Sequence, residues 1–245
     1  MDLNILNKKS LEELQEIGKD LGIENEMNKK ILIEKIKECF KDYEKYKTEV
    51  KDRYEKIKQL GNKGKEGITY LVKDKKTNKE YAMKTFNKRK SIENIKRESE
   101  LQKIAGEIGI SPKVIEVDLV SNNIVMDKMD EHLFDVMKRQ NGDLTEIQQK
   151  QIVDIFDKLD EINVFHGDSN LLNYMLKDDQ IYIIDFGMSK MIDNKLKKKL
   201  KEDRPNFTLM NLGFILKLKE LKCPESSYSY LIKHVNDENK KKYSL

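Results

Sequence analysis

The sequence predicts an α+β chain: a small helical segment, then a compact β-rich part, then a larger and mainly helical part. Three observations carry this. Apolar residues recur at helical spacing before residue 48, β-branched and aromatic runs of strand length begin after residue 54, and helical spacing returns from residue 144. In the first segment Ser10 and Glu13 form a capping box. Leu11, Leu14, Ile17 and Leu21 make an apolar stripe, and Gly22 stands where that helix stops. A second helix starts near Asn28 with Leu32, Ile33, Ile36 and Phe40 on one face, and continues through the charged residues 41–51. Residues 68–72 and 80–86 read as a hairpin, with Thr77-Asn78 as the turn signal. Residues 91–105 read as helix, and 114–117 and 123–128 as strands. A long helix covers 144–162, with Ile147, Ile152, Ile155, Phe156 and Leu159 turned inward. Short strands near 173–176 and 180–185 follow, and the remainder is helical.

Composition narrows the function classes. A chain of 245 residues suits one domain of moderate size, or a smaller one with an appendage. The 48 basic and 44 acidic side chains are too evenly balanced for a nucleic-acid coat protein or a polybasic membrane anchor. Cys39 and Cys223 have no paired spacing, so neither a zinc site nor a disulfide framework is expected, and a reducing intracellular compartment is. No apolar run approaches the roughly 18 residues of a membrane span, and Met1-Asp2-Leu3-Asn4 lacks the pattern of a secretory leader.

Five polar elements fall in order along this pattern. Residues 61–67 carry Gly61, Gly64 and Gly67 between two strands. Such glycines let backbone N–H groups approach phosphate oxygens, or simply make a hairpin turn. Lys84 lies on the same strand face as Ala82, opposite Tyr81 and Met83. A lysine on an inner face needs an anion, because a lone buried ammonium is costly; on an outer face it is merely solvated. Glu98, fourteen positions on, offers that partner, with Glu100 as its rival. Residues 166–173, His-Gly-Asp-Ser-Asn-Leu-Leu-Asn, set a carboxylate (Asp168) and an amide (Asn173) five residues apart. Asp185-Phe186-Gly187 puts an acid at the end of an apolar strand, where a metal ion offsets its desolvation.

Taken together, residues from about 54 to 216 resemble a eukaryotic-type protein kinase domain. Residues 60–72 resemble the glycine-rich loop, Tyr81-Ala82-Met83-Lys84 the V-A-I-K strand, and Glu98-Ser99-Glu100-Leu101 the C-helix segment. Residues 166–173 resemble the H-R-D-x-x-x-x-N loop, and Asp185-Phe186-Gly187 the D-F-G loop. The resemblance implies a two-lobed protein-kinase-like fold, a small helical module at 1–48 and a kinase-like domain at 49–245, with an N-lobe to about 129 and a C-lobe beyond. It implies ATP and Mg²⁺ as cofactors. Lys84 would hold the α/β-phosphates and pair with Glu98, Asp168 would orient the substrate hydroxyl, and Asn173 and Asp185 would hold magnesium. Met126 would be the gatekeeper, the backbone of Asp127 and Met129 would meet adenine, and Thr69, Ala82 and Met175 would enclose the base, under Gly61, Gly64 and Gly67.

Several departures refine the expectation. Gly167 stands in place of the arginine that pairs with an activation-loop phosphate in regulated kinases, so switching by phosphorylation is not expected. The glycines are spaced G-x-x-G-x-x-G, A-P-E is absent, and Thr208 stands where the F-helix aspartate is usual, ahead of Leu212-Gly213-Phe214-Ile215-Leu216. Only 29 residues follow Leu216, so a shortened C-lobe is expected. These traits are similar to the RIO group and the kinase subunit of the KEOPS complex, and the Lys-, Asn- and Ile-rich composition is similar to that of minimal kinases of large DNA viruses. The implied activity is protein serine/threonine phosphorylation on a protein substrate. A small-molecule kinase is the alternative, and the compartment would be cytoplasmic or nuclear, or a host cell or virion for a viral protein. Residues 6–40 resemble a SAP or Rho-N module, which implies nucleic acid as a partner through residues 1–48, against a helical brace as the other reading. That partner would face 10 basic and 12 acidic groups in the first 50 residues. The lysine-rich run 195–201 reads as a solvated helix face or an anion-binding patch. His132 and His234 read as surface residues, and His166 as a support of its loop.

Overall fold

The computed structural model describes residues 3–23, 26–61 and 64–245, so Asn62 and Lys63 of the glycine-rich stretch lie outside the described residues. The chain groups into two compact units, one running to residue 55 with 74–77 added, the other comprising 56–73 and 78–245.

In the first unit a 3-10 turn, Leu3–Lys8, precedes helices α1 (Leu11–Asp20) and α2 (Lys29–Arg53). The capping box closes as expected: Glu13 N–H donates to Ser10 Oγ at 3.1 Å, and Ser10 N–H to the Glu13 carboxylate at 2.7 Å. Asn28 caps α2 by accepting from Lys30 and Ile31. Leu6, Leu14, Leu32, Ile33 and Ile36 form the buried cluster, with Leu11, Ile17, Ile23 and Phe40 packed against it. Gly18 permits this approach, since a Cβ there would lie 3.0 Å from Leu32 Cδ1. Leu21 departs from the expected stripe and is 38% exposed: α1 ends at Asp20, and the C-cap residue falls out of helical phase.

Asp74 also belongs to this unit. Its side chain has no exposed surface, and it accepts from Arg53 Nε and Nη2 at 3.1 and 2.8 Å and from Lys76 N–H at 2.8 Å. The Arg53 guanidinium holds the carboxyl below its ordinary value of 3.8, against the opposing effect of burial. A carboxylate depressed in the folded state contributes stability above its unfolded pKa and loses it as pH falls through the folded one. Urea denaturation between about pH 7 and about pH 3 should therefore show a steeper acid loss for the wild type than for Asp74→Asn, the two curves converging below pH 3.8. Parallel curves would refute this.

Apart from its end residues 54, 55 and 74, a five-stranded sheet lies in the second unit: β1 (Tyr54–Leu60), β2 (Gly67–Asp74), β3 (Glu80–Phe86), β4 (Val114–Asp118) and β5 (Asn123–Asp127), in the order β1-β2-β3-β5-β4. Helix α3 (Ile92–Glu107) joins β3 to β4. Pairing sets Lys84 opposite both Thr69 and Ile124, and Ala82 opposite Met126. Strand alternation then puts Thr69, Ala82, Lys84, Phe86, Ile124 and Met126 on one face. On that face Ala82, Phe86, Ile124 and Met126 pack with Ile95 of α3.

The helical part follows: β6 (Glu131–His132), α4 (Leu133–Arg139), α5 (Glu146–Glu161), β7 (Val164–Phe165), β8 (Tyr174–Lys177), β9 (Gln180–Ile183), β10 (Lys190–Met191), α6 (Asn194–Leu200), α7 (Asn211–Glu220) and α8 (Asp237–Tyr243). Strands β6, β8 and β9 form a small sheet, and β7 pairs with β10. Phe156 of α5, Tyr174 of β8 and Phe214 of α7 meet edge to face at 5.0–6.4 Å in the centre of the core. Full burial of such side chains is worth about 1.5–3 kcal/mol each.

Two expectations are corrected here. Ile147 is 70% exposed, because at 100° per residue it lies off the stripe of Ile152, Ile155, Phe156 and Leu159. Gln149 occupies the inward position instead, and its amide donates to Leu144 O at 2.8 Å and Ser226 O at 2.7 Å. His132 and His234 are half-buried rather than at the surface. His132 is held in β6 opposite Met175, and His234 packs edge-on against Phe207 and Tyr230. Among the described residues no helix is long and apolar enough to cross a membrane.

Candidate active site

Helix α3 begins at Ser91, whose side chain accepts from Asn94 N–H, and its phase then turns Ile95, Glu98 and Gln102 inward. Glu98 is buried and Glu100 exposed, some 200° apart around the helix. Lys84 Nζ donates to Glu98 Oε1 at 2.6 Å and to Asp185 Oδ1 at 2.9 Å, so one ammonium joins β3, α3 and the segment after β9. Burial alone would lower the Lys84 pKa, but Glu98 and Asp185 outweigh it and raise the value. Burial likewise pushes Asp185 up, yet Lys84 and the Gly187 N–H leave it below the ordinary carboxylate range. Both groups are charged at neutral pH.

Two side chains not singled out from the sequence complete this cluster. Lys90 contacts the other oxygen of Glu98 and also Glu66, which follows the glycine-rich stretch. A Cβ on Gly187 would stand 2.7 Å from Glu66 Oε2, so that glycine makes room for the carboxylate. Glu66, Glu98 and Asp185 can bring oxygens within 4.8 Å of one another, a concentration of charge that the two lysines offset.

The loop after β7 is braced from inside. His166 is fully buried, its ring nitrogens 3.2 Å from Asp168 O and 3.0 Å from Ile184 O, and it meets Phe186 edge-on at 5.0 Å. Burial lowers its pKa, which suits a structural support. Asp168 is half-buried, and its Oδ1 accepts from Asn170 N–H at 3.0 Å. Asn173 Nδ2 is turned to Asp168 O at 3.5 Å, which leaves the amide oxygen available as an acceptor. Ile184 N–H donates to Asn173 O at 2.8 Å, which brings the Asp185 backbone beside Asn173. Asp185 itself adopts φ +67°, in the left-handed region that aspartate and asparagine enter more readily than most residues. A carboxylate and an amide oxygen are hard donors of the kind Mg²⁺ takes, so these residues fit that ion.

The proposed nucleotide wall is spread over the sheet face. Ala82 and Met126 are buried side by side, with Gln102 Nε2 3.2 Å from the Met126 sulfur. Thr69 and Asp127 are half-buried, Met129 is buried, and Asp127 N–H donates to Lys113 O. Met175, half-buried, lies on β8 opposite Tyr182. Gly61 is left-handed at φ +66°, and Gly64 N–H bonds Gly67 O at 3.0 Å. Gly67 serves the sheet, since a Cβ there would collide with the backbone of Thr85 on β3.

The loop 166–173 is anchored by Asn206, and not from position 208, where the resemblance would set an aspartate. Thr208 Oγ1 donates only to Arg204 O in its own turn. Asn206, fully buried, instead accepts from His166 N–H at 3.0 Å and donates through Nδ2 to Val164 O (2.8 Å) and Asp160 (2.7 Å). A π-helical turn, Asn206–Met210, lies between this residue and α7 and departs there from regular helical spacing.

A five-stranded sheet above a helical half, with a lysine–glutamate pair facing an acidic loop, defines the two-lobed protein-kinase-like class. Residues 54–208 match the model of the protein kinase domain, and the chain belongs to that family. It is 32% identical over 164 residues to calcium-dependent protein kinase 27 of Oryza sativa subsp. japonica, covering 58% of this chain and 26% of that one. Over 119 residues it is 27% identical to the probable serine/threonine-protein kinase BUD32 homolog of Archaeoglobus fulgidus, covering 48% and 56%. Over 128 residues it is 27% identical to the KEOPS complex subunit Bud32 of Pyrococcus abyssi, covering 51% and 58%. In each case the match spans less than two thirds of the relative's length.

Proposed function

We propose that this protein is an ATP- and Mg²⁺-dependent serine/threonine kinase that needs no phosphorylation of an activation segment. The observation that carries the reading is Lys84, whose Nζ lies between Glu98 and Asp185 on three separate elements. Phosphoryl transfer asks a protein for positioning and charge cancellation rather than covalent chemistry, and this cluster supplies both. Lys84 holds the phosphate charge while Glu98 fixes its direction. Asp168 orients the acceptor hydroxyl and receives its proton as the acceptor oxygen bonds to the γ-phosphorus and the bond to ADP breaks. Asn173 and Asp185 would hold the magnesium, which when bound would neutralise phosphate charge. The names of the relatives favour protein hydroxyls as acceptors.

The test is transfer of label from γ-labelled ATP to generic proteins, Ser/Thr peptides and small alcohols in parallel. Protein or peptide labelling supports the reading, labelling confined to small alcohols replaces it with a small-molecule kinase, and no labelling defeats both. Asp185→Ala should abolish the labelling with the fold intact, by about 10³-fold or more if charge stabilisation dominates the barrier.

A further inference from the structure

Glu98 is buried, and each of its carboxylate oxygens takes a different lysine. Lys84 reaches Oε1 from β3; Lys90 reaches Oε2 from the turn between β3 and α3. The Lys90 side chain is only 10% exposed, and its Nζ lies 4.6 Å from the Phe86 ring centroid, with Lys84 Nζ 5.0 Å from the same ring. Its turn is firmly placed. Lys90 N–H donates to Asn87 O, Asn87 N–H to Glu66 O at 2.8 Å, and Asn87 Nδ2 to Lys65 O at 2.6 Å. A long charged side chain held this way gives up most of its rotamer freedom and its hydration, which an ordinary surface lysine does not.

We propose that Lys90 is a positioning residue for phosphoryl transfer, fastening the second oxygen of Glu98 so that this carboxylate stays turned toward Lys84 without any phosphorylated segment. The inference rests on the kinase reading and adds to it the part that holds α3 in the competent position. A carboxylate fixed at one oxygen can rotate about its last bond; fixed at both, it cannot. Glu66 shares the Lys90 ammonium, and so ties the end of the glycine-rich stretch to the same point.

The experiment compares Lys90→Met, Lys90→Arg and the exposed control Lys88→Met in the full chain. In Lys90→Met, kcat should fall about 10- to 100-fold, the scale of a misplaced catalytic group. Its affinity for Mg-ATP by calorimetry should stay within about threefold, since the loss is one of orientation and not of binding. Lys90→Arg should restore most of the rate, and Lys88→Met should match the wild type. Amide exchange of residues 92–107 should quicken in Lys90→Met, and this readout needs no activity. A kcat within about twofold of wild type, or affinity lowered about tenfold at unchanged kcat, overturns the proposal, the second result making Lys90 a phosphate ligand. If the wild type transfers no phosphate, the kinase reading fails on its own, and unchanged exchange over 92–107 then overturns the positioning of α3 as well. Should Lys90→Met not fold, Lys90→Gln is read in the same way.

Discussion

Replacing Asp168 by Asn should lower kcat about 10²–10⁴-fold, the contribution of a positioned acid–base group, while the KM for nucleotide changes little. The substitution is chosen to spare the loop. Asn keeps an oxygen to accept from Asn170 N–H, and the bonds that His166 and Asn173 make to this residue go to its main-chain oxygen. Only the negative charge to which the proposed mechanism gives the acceptor proton is removed. Steady-state transfer from labelled ATP measures the effect, with the melting temperature as a check on folding. A kcat within about threefold of wild type would remove Asp168 from the mechanism.

The largest effect on stability is expected at Asn206. Asn206→Leu fills the same space but leaves His166 N–H and Val164 O without their side-chain partner, while Asp160 keeps only the main-chain N–H groups of Asn206 and Phe207. Buried groups orphaned in this way cost about 1–3 kcal/mol each. Allowing for relaxation, the total is about 3 kcal/mol, or a melting temperature roughly 6–12 °C lower for a domain of this size. Asn206→Asp should be no milder. An aspartate accepts from His166 but cannot donate, and it would stand against Asp160, whose pKa burial has already raised. Thr208→Ala should be nearly neutral. Thermal unfolding of the three variants tests this, and equal melting temperatures for Asn206→Leu and Thr208→Ala would refute the assignment of the anchor.

How much of this was legible depends on the type of interaction. Strand alternation placed Lys84 beside Ala82, and the helical turn separates Glu98 from Glu100, because both follow from local periodicity. The acid at the end of an apolar strand was equally plain. Lys90 was not, since within Asn87-Lys88-Arg89-Lys90 it has the composition of any solvated turn. Its importance arises from Glu66, 24 residues earlier, and Glu98, eight later, meeting at one point in space. Asn206 escaped for a different reason: counting back from Gly213 assumes a regular helix, and the π-turn breaks that count. Ile147 shows the same weakness on a smaller scale, for the helix begins at Glu146, two residues later than expected, and Ile147 in its first turn lies off the buried face.

Gly167 has a consequence for anyone wishing to install external control of the proposed activity. Its backbone lies at φ +79°, and a Cβ would come 3.4 Å from the Phe165 ring. Writing the missing arginine back at this position would force a handedness that side chains resist, one residue from Asp168. Restoring a phosphate-responsive version therefore carries a conformational cost of about 1–2 kcal/mol in the loop itself, so the arginine has to be introduced together with changes that let the main chain leave the left-handed region.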